Sequence, residues 1–531
     1  MPLQDITDSD ISPDLAADPA NPHRLLSQLQ QLRHTVYTTG QSTYERWQPL
    51  IHRPTFGASA LNLAYYLALR QQDLRLLQVA LMPWGLSSLG RIEARVMPNL
   101  DAVVATLGTI CQADPSTLPM RPSADAFFEG EHLLQQRTEE LFGSSHTPRR
   151  VRIMVTLPTE AAEDYDLVRS LIQQGTACVR INCAHDHEAQ WQQMIAHVRQ
   201  AEQETGNSCR VLMDLGGPKP RTGDLCFPAD QQRLFPGDLL LLNRVTDIHP
   251  TDPPPELVQV SCSIPEILDQ LEVDHTVWID DGKIGTVVLN THYTDGQGHQ
   301  GVLLQVKQVK PNGAKLKPDK GLNFPDTILQ IDPLTQKDRQ DLDFVATHAD
   351  LIGYSFVQTA ADIRHLQREL QQRLGDRSTV PGIIAKIETP IAVRHLPELI
   401  VQTAGTQPFG VMIARGDLAI EIGYQRMAEI QEEILWICEA AHVPVIWATQ
   451  VLESLVKTGV PSRGEITDAA MAERAECVML NKGEFILAAV KILDDVLIRM
   501  QAHQLKKTAQ LRALHSWQSA AVTGRNDRAT S

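Results

Sequence analysis

Eight short apolar runs recur between residues 151 and 481, most of them separated by stretches of helical period. They are VRIMVTL (151–157), ACVRIN (177–182), CRVLMDL (209–215), ADLIGYSF (349–356), GIIAKIE (382–388), GVMIAR (410–415), PVIWAT (444–449) and CVMLN (477–481). Runs this apolar read as buried strands, and segments such as PTEAAEDYDLVRSLIQQG and YQRMAEIQEEILWICEAAH supply helical crossovers. Eight strands with such crossovers predict an α/β fold, a (β/α)8 TIM barrel rather than an open sheet, built from 151–223 and 323–502.

One interval breaks the rhythm. About a hundred residues after the third run carry GDLLLLNRV, HTVWIDDGKIGTVVLN and GVLLQVKQVK, β-rich segments with DDG and NG turn signals. They predict a small β-barrel lid domain, 224–322, inserted above the barrel face where such enzymes keep their chemistry. DDGKIG (280–285) reads as a tight hairpin turn. Upstream, SALNLAYYLALRQQDLRLLQVAL (59–81) and GRIEARVMPNLDAVVATLGTIC (90–111) place a helical region and linker at 23–150. Residues 1–22 are expected to be disordered and 503–531 to be a polar tail.

The totals exclude several functions. Lys+Arg 48 against Asp+Glu 64 gives a net charge of −16, which leaves no broad basic face for nucleic acid or an anionic membrane. Any phosphate must therefore meet a local basic pocket. The eight cysteines include no CxxC pair, and no stretch approaches a membrane span or a signal peptide, so a reduced, cytoplasmic protein is expected.

Side chains two apart on a strand share a face, so Lys386 and Glu388 project together at the carboxyl end of the fifth strand. The sixth ends in ARGDLAIE, which puts Asp417 beside them. Two carboxylates make a hard-oxygen site suited to Mg²⁺, with Lys386 as a point charge for a phosphoryl group or a developing enolate. Taken alone, the Lys386–Glu388 pair also fits a structural ion pair. Arg180 and Asn182 share a face on the second strand, and MDLGGPKPRTG (213–223) adds Asp214, Lys219 and Arg221. Thr449 brings a hydroxyl to the same rim, and the backbone N–H groups of Gly416 and Asp417 face a small carboxylate. His185 and His187 lack a third ligand at zinc spacing and read as rim residues.

The blocks VRINCAHD, MDLGGPKPRTG, VWIDDGKIG, DKGLNFPD, AKIET, VMIARGDLAIE, WATQVLESL and SRGEITDAA, in this order, resemble the signature blocks of the pyruvate kinases over about 151–500. The resemblance implies Mg²⁺-dependent phosphoryl transfer from phosphoenolpyruvate to ADP in glycolysis, with Mn²⁺ as a substitute metal and a homo-oligomer left open. It implies Glu388 and Asp417 as metal ligands, Lys386 on the moving phosphoryl group, Arg180 on the substrate phosphate and Arg221 with Asn182 on the nucleotide side. Thr449 would hold the substrate carboxylate and assist enolate protonation.

The chain also departs from the family pattern. Ala184 stands where the family has serine, Leu215 and Gly216 replace threonine and lysine, and Lys219 replaces glutamate. Two of those changes remove K⁺ ligands and leave only Asn182 and Asp214. Lys219 resembles the lysine of potassium-independent relatives, so no K⁺ requirement is expected; the alternative is that this corner has lost its catalytic fitness. The short polar tail is not expected to form the large C-terminal regulatory domain usual in the family. Two other readings stay open: an Mg²⁺-dependent 2-keto acid aldolase, because AKIETPIAVRHLPELI (385–400) resembles that group too, and an inactive homologue acting as a binding protein.

Overall fold

The computed structural model describes residues 20–510, except 88, 146, 247, 249–253 and 376–379. The expected disordered start therefore lies outside the described residues up to residue 19, and the end of the tail from 511 onward lies outside them as well.

Eight parallel strands close a barrel in chain order: Arg152–Thr156, Cys178–Asn182, Arg210–Asp214, Leu351–Tyr354, Gly382–Ile387, Phe409–Ala414, Val445–Ala448 and Cys477–Leu480. The first pairs with the eighth from Arg152↔Cys477 onward, which completes the ring. Seven of the eight strands are shorter than their apolar runs and the sixth is shifted by one residue, so several candidate site residues fall just past the carboxyl ends. Glu388 falls one residue past the fifth strand and Thr449 one past the seventh, while Arg415 opens the helix Arg415–Ile422. Inward side chains, among them Met154, Leu212, Ile384, Met412 and Ile446, pack the interior as an apolar core.

The helical region is part of this barrel and closes its lower end. Leu141 and Phe142, at the end of the helix Ala124–Phe142, join the interior cluster at the amino ends of the strands. Gly382 and Gly410 make that approach feasible, since a Cβ on either would meet Leu141 at 2.9 or 3.1 Å. The helices Pro22–Trp47, Gly57–Leu69, Arg75–Leu81 and Val96–Ile110 share one core with the barrel's outer helices. The run 59–81 breaks after Leu69 at the polar residues 70–73, so one periodic stretch yields two helices. Buried Asn62 donates to Ala440 O at 2.8 Å. Burial also lowers the pKa of His442 to about 4; its neutral ring is held between Ser59 Oγ and Ala94 O.

Three features differ from the sequence expectations. Asn21 caps the helix that opens at Pro22, so the boundary drawn at residue 22 falls inside a capped helix. The inserted sheet has seven strands, ordered Leu322–Asn323, Thr276–Ile279, Ile284–Thr294, Gln300–Gln308, Leu239–Asn243, Val258–Cys262 and Thr222–Cys226, around its own apolar core. Its two edges meet through a single bridge, Arg221↔Gly321, rather than a full ladder. The expected polar tail begins with a small hairpin, Gln504–Leu505 against Thr508–Ala509, whose Lys506 and Lys507 reach back to Glu476 and Glu93. The DDG turn is a tight hairpin connection, with Asp280, Asp281 and Gly282 all at positive φ.

Candidate active site

The carboxyl ends of the second, third, fifth and sixth strands converge on one cluster of charge. Lys386 is its hub. Its Nζ donates to Ser355 Oγ at 2.7 Å and lies 3.3 Å from both Asp214 Oδ2 and Glu388 Oε1. Asp214, only 1 % exposed, also takes Arg180 Nε at 2.8 Å and a second Arg180 nitrogen at 2.5 Å on the same oxygen. Asp417, in the first turn of Arg415–Ile422, accepts Lys219 Nζ at 2.5 Å. Three carboxylates thus face three cations, a balance that buried charges require.

Burial pushes the pKa of Asp214 up, but Lys386 and Arg180 outweigh it and hold the carboxyl below its ordinary range. Burial pulls the Lys386 ammonium down; Asp214 and Glu388 more than restore it. Glu388 behaves differently. Burial raises its pKa, Asp417 and Asp214 add to the rise, and Lys386 with the Phe356 N–H offsets only part of it. A carboxylate crowded by other carboxylates is one that a divalent cation would stabilise.

The backbone around the cluster is strained where it supports these groups. Phe356 sits at φ 54° and donates its N–H to Glu388 Oε2 at 2.7 Å. Thr449, Gln450 and Leu452 are all at positive φ, and Thr449 Oγ1 accepts the Gly416 N–H at 2.9 Å. That N–H, expected to face a ligand carboxylate, is satisfied internally; a ligand would have to redirect it. Arg415 fixes the turn, donating to Ala448 O at 3.0 Å, to Thr449 O at 2.5 Å and to both oxygens of Asp468.

Two expected site residues lie apart from the cluster's contacts. The Asn182 side chain accepts the Ala184 N–H at 3.2 Å in a local turn. Arg221 bonds Asp319 at the base of the insert. Lys219 also differs from expectation, since its ammonium lies on Asp417, the partners of Asp214 being Arg180 and Lys386. His187 caps the helix Glu188–Thr205. No group of three or more His, Cys, Asp or Glu side chains fit to hold a metal occurs among the described residues, so Glu388 and Asp417 remain a two-carboxylate set. Sequence reasoning missed Ser355, which links Lys386 to Leu215 O, and Asp468, which anchors Arg415.

The sequence profile described as the barrel domain of pyruvate kinase matches residues 148–489. The chain belongs to the pyruvate kinase family. It is 30% identical to a pyruvate kinase of Methylorubrum extorquens, over 71% of this chain and 79% of that protein. It is 33% identical to one of Agrobacterium vitis, over 67% and 69%. Among solved structures it resembles a pyruvate kinase from Cryptosporidium parvum, with a TM-score of 0.58 and 25% identity over 68% of this chain and 72% of that one. Within this member of the pyruvate kinase family, Leu215 is buried and a Cβ on Gly216 would meet nothing closer than 3.7 Å. Among the described residues no helix is long and apolar enough to cross a membrane.

Proposed function

We propose that the chain is an active pyruvate kinase of the cytoplasm, transferring the phosphoryl group of phosphoenolpyruvate to ADP in glycolysis. The observation that carries this reading is the Lys386 hub, an ammonium shared among Asp214, Glu388 and Ser355 at the carboxyl ends of the strands. Such a group, locked by three partners, is preorganised for charge that moves during phosphoryl transfer.

Glu388 and Asp417 would hold Mg²⁺, or Mn²⁺ in its place; the mutual crowding of their carboxylates and the hard-oxygen donor set both fit such an ion. When bound, the ion would supply Lewis-acid charge to phosphate oxygens. Two protein ligands leave the remaining positions to water and substrate.

In the reaction, the bond between phosphorus and the enol oxygen breaks while a β-phosphate oxygen of ADP bonds to phosphorus, and the enolate left behind takes a proton to become pyruvate. Arg180, oriented by Asp214, binds the transferring phosphate with planar donors. Lys386 stabilises the phosphoryl group in flight and the enolate oxygen after it. Thr449, fixed by its strained backbone and its bond to Gly416, holds the substrate carboxylate side and passes the proton through water. Arg221 and Asn182 line the nucleotide side. The insert acts as a lid, already touching the sixth-strand helix through Asn323–Glu421, while Lys219, in the segment leading into the insert, reaches Asp417 on the same helix. Lys219 supplies a fixed positive charge to this corner, so the enzyme needs no K⁺.

The test is pyruvate formation from phosphoenolpyruvate and ADP with Mg²⁺. Wild type should turn over, and Lys386→Met should lose roughly 10³-fold or more in rate. An idle wild type, or a variant that keeps pace with it, would sink the reading.

A further inference from the structure

At the opposite end of the barrel, a cavity of about 1130 Å³ opens between the helical region, the start of the first strand and the C-terminal hairpin. Ordinary small-molecule sites run to about 300–1,000 Å³, so a metabolite fits with room for water. The segment WGLSSLGR, which the catalytic reading leaves unused, contributes Gly85, Leu86, Ser87, Gly90 and Arg91 to its wall. None of these residues belongs to the phosphoryl-transfer cluster.

The wall carries an uncompensated charge. Arg152 is 5 % exposed, yet its guanidinium bonds only neutral carbonyls, Arg150 O at 2.6 Å and Gly143 O at 3.1 and 3.4 Å. No described carboxylate comes within ion-pair distance of it, although its neighbours Arg149 and Arg150 pair with Asp494 and Glu473. Glu139, on the same wall, acts on it only from beyond ion-pair distance, and a buried cation without a close counter-ion is costly. Around it the same cavity holds buried polar atoms with no hydrogen-bond partner among the described residues: Arg95 Nε and Arg150 Nε as donors, Glu93 Oε2 and Asn99 Oδ1 as acceptors. Buried groups of this kind are rarely left unsatisfied unless something else meets them.

We propose that this cavity binds a small polar metabolite whose anionic group, phosphate or carboxylate, pairs with Arg152 and whose hydroxyl or amine hydrogens meet Glu93 and Asn99. The site is connected to the far end of the barrel. Glu476, on the cavity wall, takes the Arg152 N–H on its carbonyl and the Val445 N–H on its carboxylate at 2.9 Å, and Val445 opens the strand that Thr449 directly follows.

The full chain is titrated calorimetrically with inorganic phosphate and, separately, with citrate. The expected result is one saturable event outside the catalytic mouth, weakened about tenfold or more by Arg152→Met and less by Gln135→Glu, and kept by Lys386→Met. The tighter of the two anions assigns the ligand's charged group as phosphoryl or carboxyl. Should Arg152→Met fail to fold, Gln135→Glu still decides, because Gln135 is an exposed wall residue bonded only to Glu139. No saturable binding of either anion overturns the site. So does an event untouched by both wall variants, or one that Lys386→Met abolishes. The readout is binding, so it stands whether or not the chain turns over phosphoenolpyruvate.

Discussion

The two corners of the barrel mouth are built on opposite principles. Where the fifth and sixth strands end, Lys386, Glu388 and Asp417 are all present, and the first two are held by several partners: Lys386 by Ser355, Asp214 and Glu388, and Glu388 also by the Phe356 N–H. Where the second and third strands end, small or apolar residues stand instead. Leu215 is buried, Ala184 offers no oxygen, and Asn182 spends its side chain on a local turn. The contrast teaches where the positive charge of this site comes from. Asp214, the one acid left in the second corner, is neutralised by Arg180 and Lys386, and Lys219 reaches over to Asp417. On the proposed function, the chain's own ammonium and guanidinium groups would do what a bound monovalent cation otherwise does.

The largest effect comes from the second corner itself, where Asp214 is tied to the charged hub and Asn182 is not. Asp214→Ala leaves Arg180 and Lys386 facing each other without their shared carboxylate, a loss of about 3–5 kcal/mol by the usual cost of orphaning a buried charge. Urea melts and the pyruvate assay should both show it, with turnover falling alongside stability. Asn182→Ala removes only a turn hydrogen bond at an exposed site and should cost about 1 kcal/mol or less. Comparable losses from the two substitutions would mean that the tie of Asp214 to Arg180 and Lys386 carries no more energy than a local turn.

A second, smaller effect concerns the monovalent cation. Wild-type turnover should change by no more than about twofold when KCl is replaced by tetramethylammonium chloride, because a tethered charge is not screened away like a free ion. The triple variant Ala184→Ser, Leu215→Thr, Lys219→Glu rebuilds the hydroxyl oxygens and removes the tethered ammonium. It should run about tenfold faster in K⁺ than in the organic cation, a difference of one decade in equilibrium terms. A wild type that stops in tetramethylammonium would show that Lys219 does not replace the ion.

How much of this was legible in the sequence depends on whether the signal was local. The eight barrel strands were, because each is a short buried run that needs no partner to be recognised. The strands Thr222–Cys226 and Val258–Cys262 were not, since TGDLC and VQVSC mix polar and apolar residues and gain their burial only from sheet neighbours. Lys386, Glu388 and Asp417 were found by period-two spacing and by resemblance. The partner of Lys219 was not, because Asp417 lies 198 residues away and only barrel closure brings them together. Ser355 and the left-handed backbone at Thr449 were hidden for the same reason: strain and bridging are properties of the closed ring.

The smallest expected effect probes the seam between the insert and the intact corner. Glu421 accepts Asn323 Nδ2 at 3.0 Å across that seam. Burial pushes its pKa from the ordinary 4.5 up to about 7, with Asp417 adding to the rise and the Asn323 bond opposing it. Between those two values the folded chain keeps a proton that the unfolded chain has lost. The group's contribution to stability is therefore full below about 4.5 and disappears as pH climbs through about 7. Glu421→Gln keeps the hydrogen-bonding shape without the titration. Its Tm should overtake that of wild type as pH rises from 5 to 8, by about 1–3 °C. Glu439, also raised to about 7 by burial, is common to both proteins and cancels in the difference. A difference in Tm that stays flat across that range would mean Glu421 is ionised in the folded chain throughout, and that the seam is wetter than its packing implies.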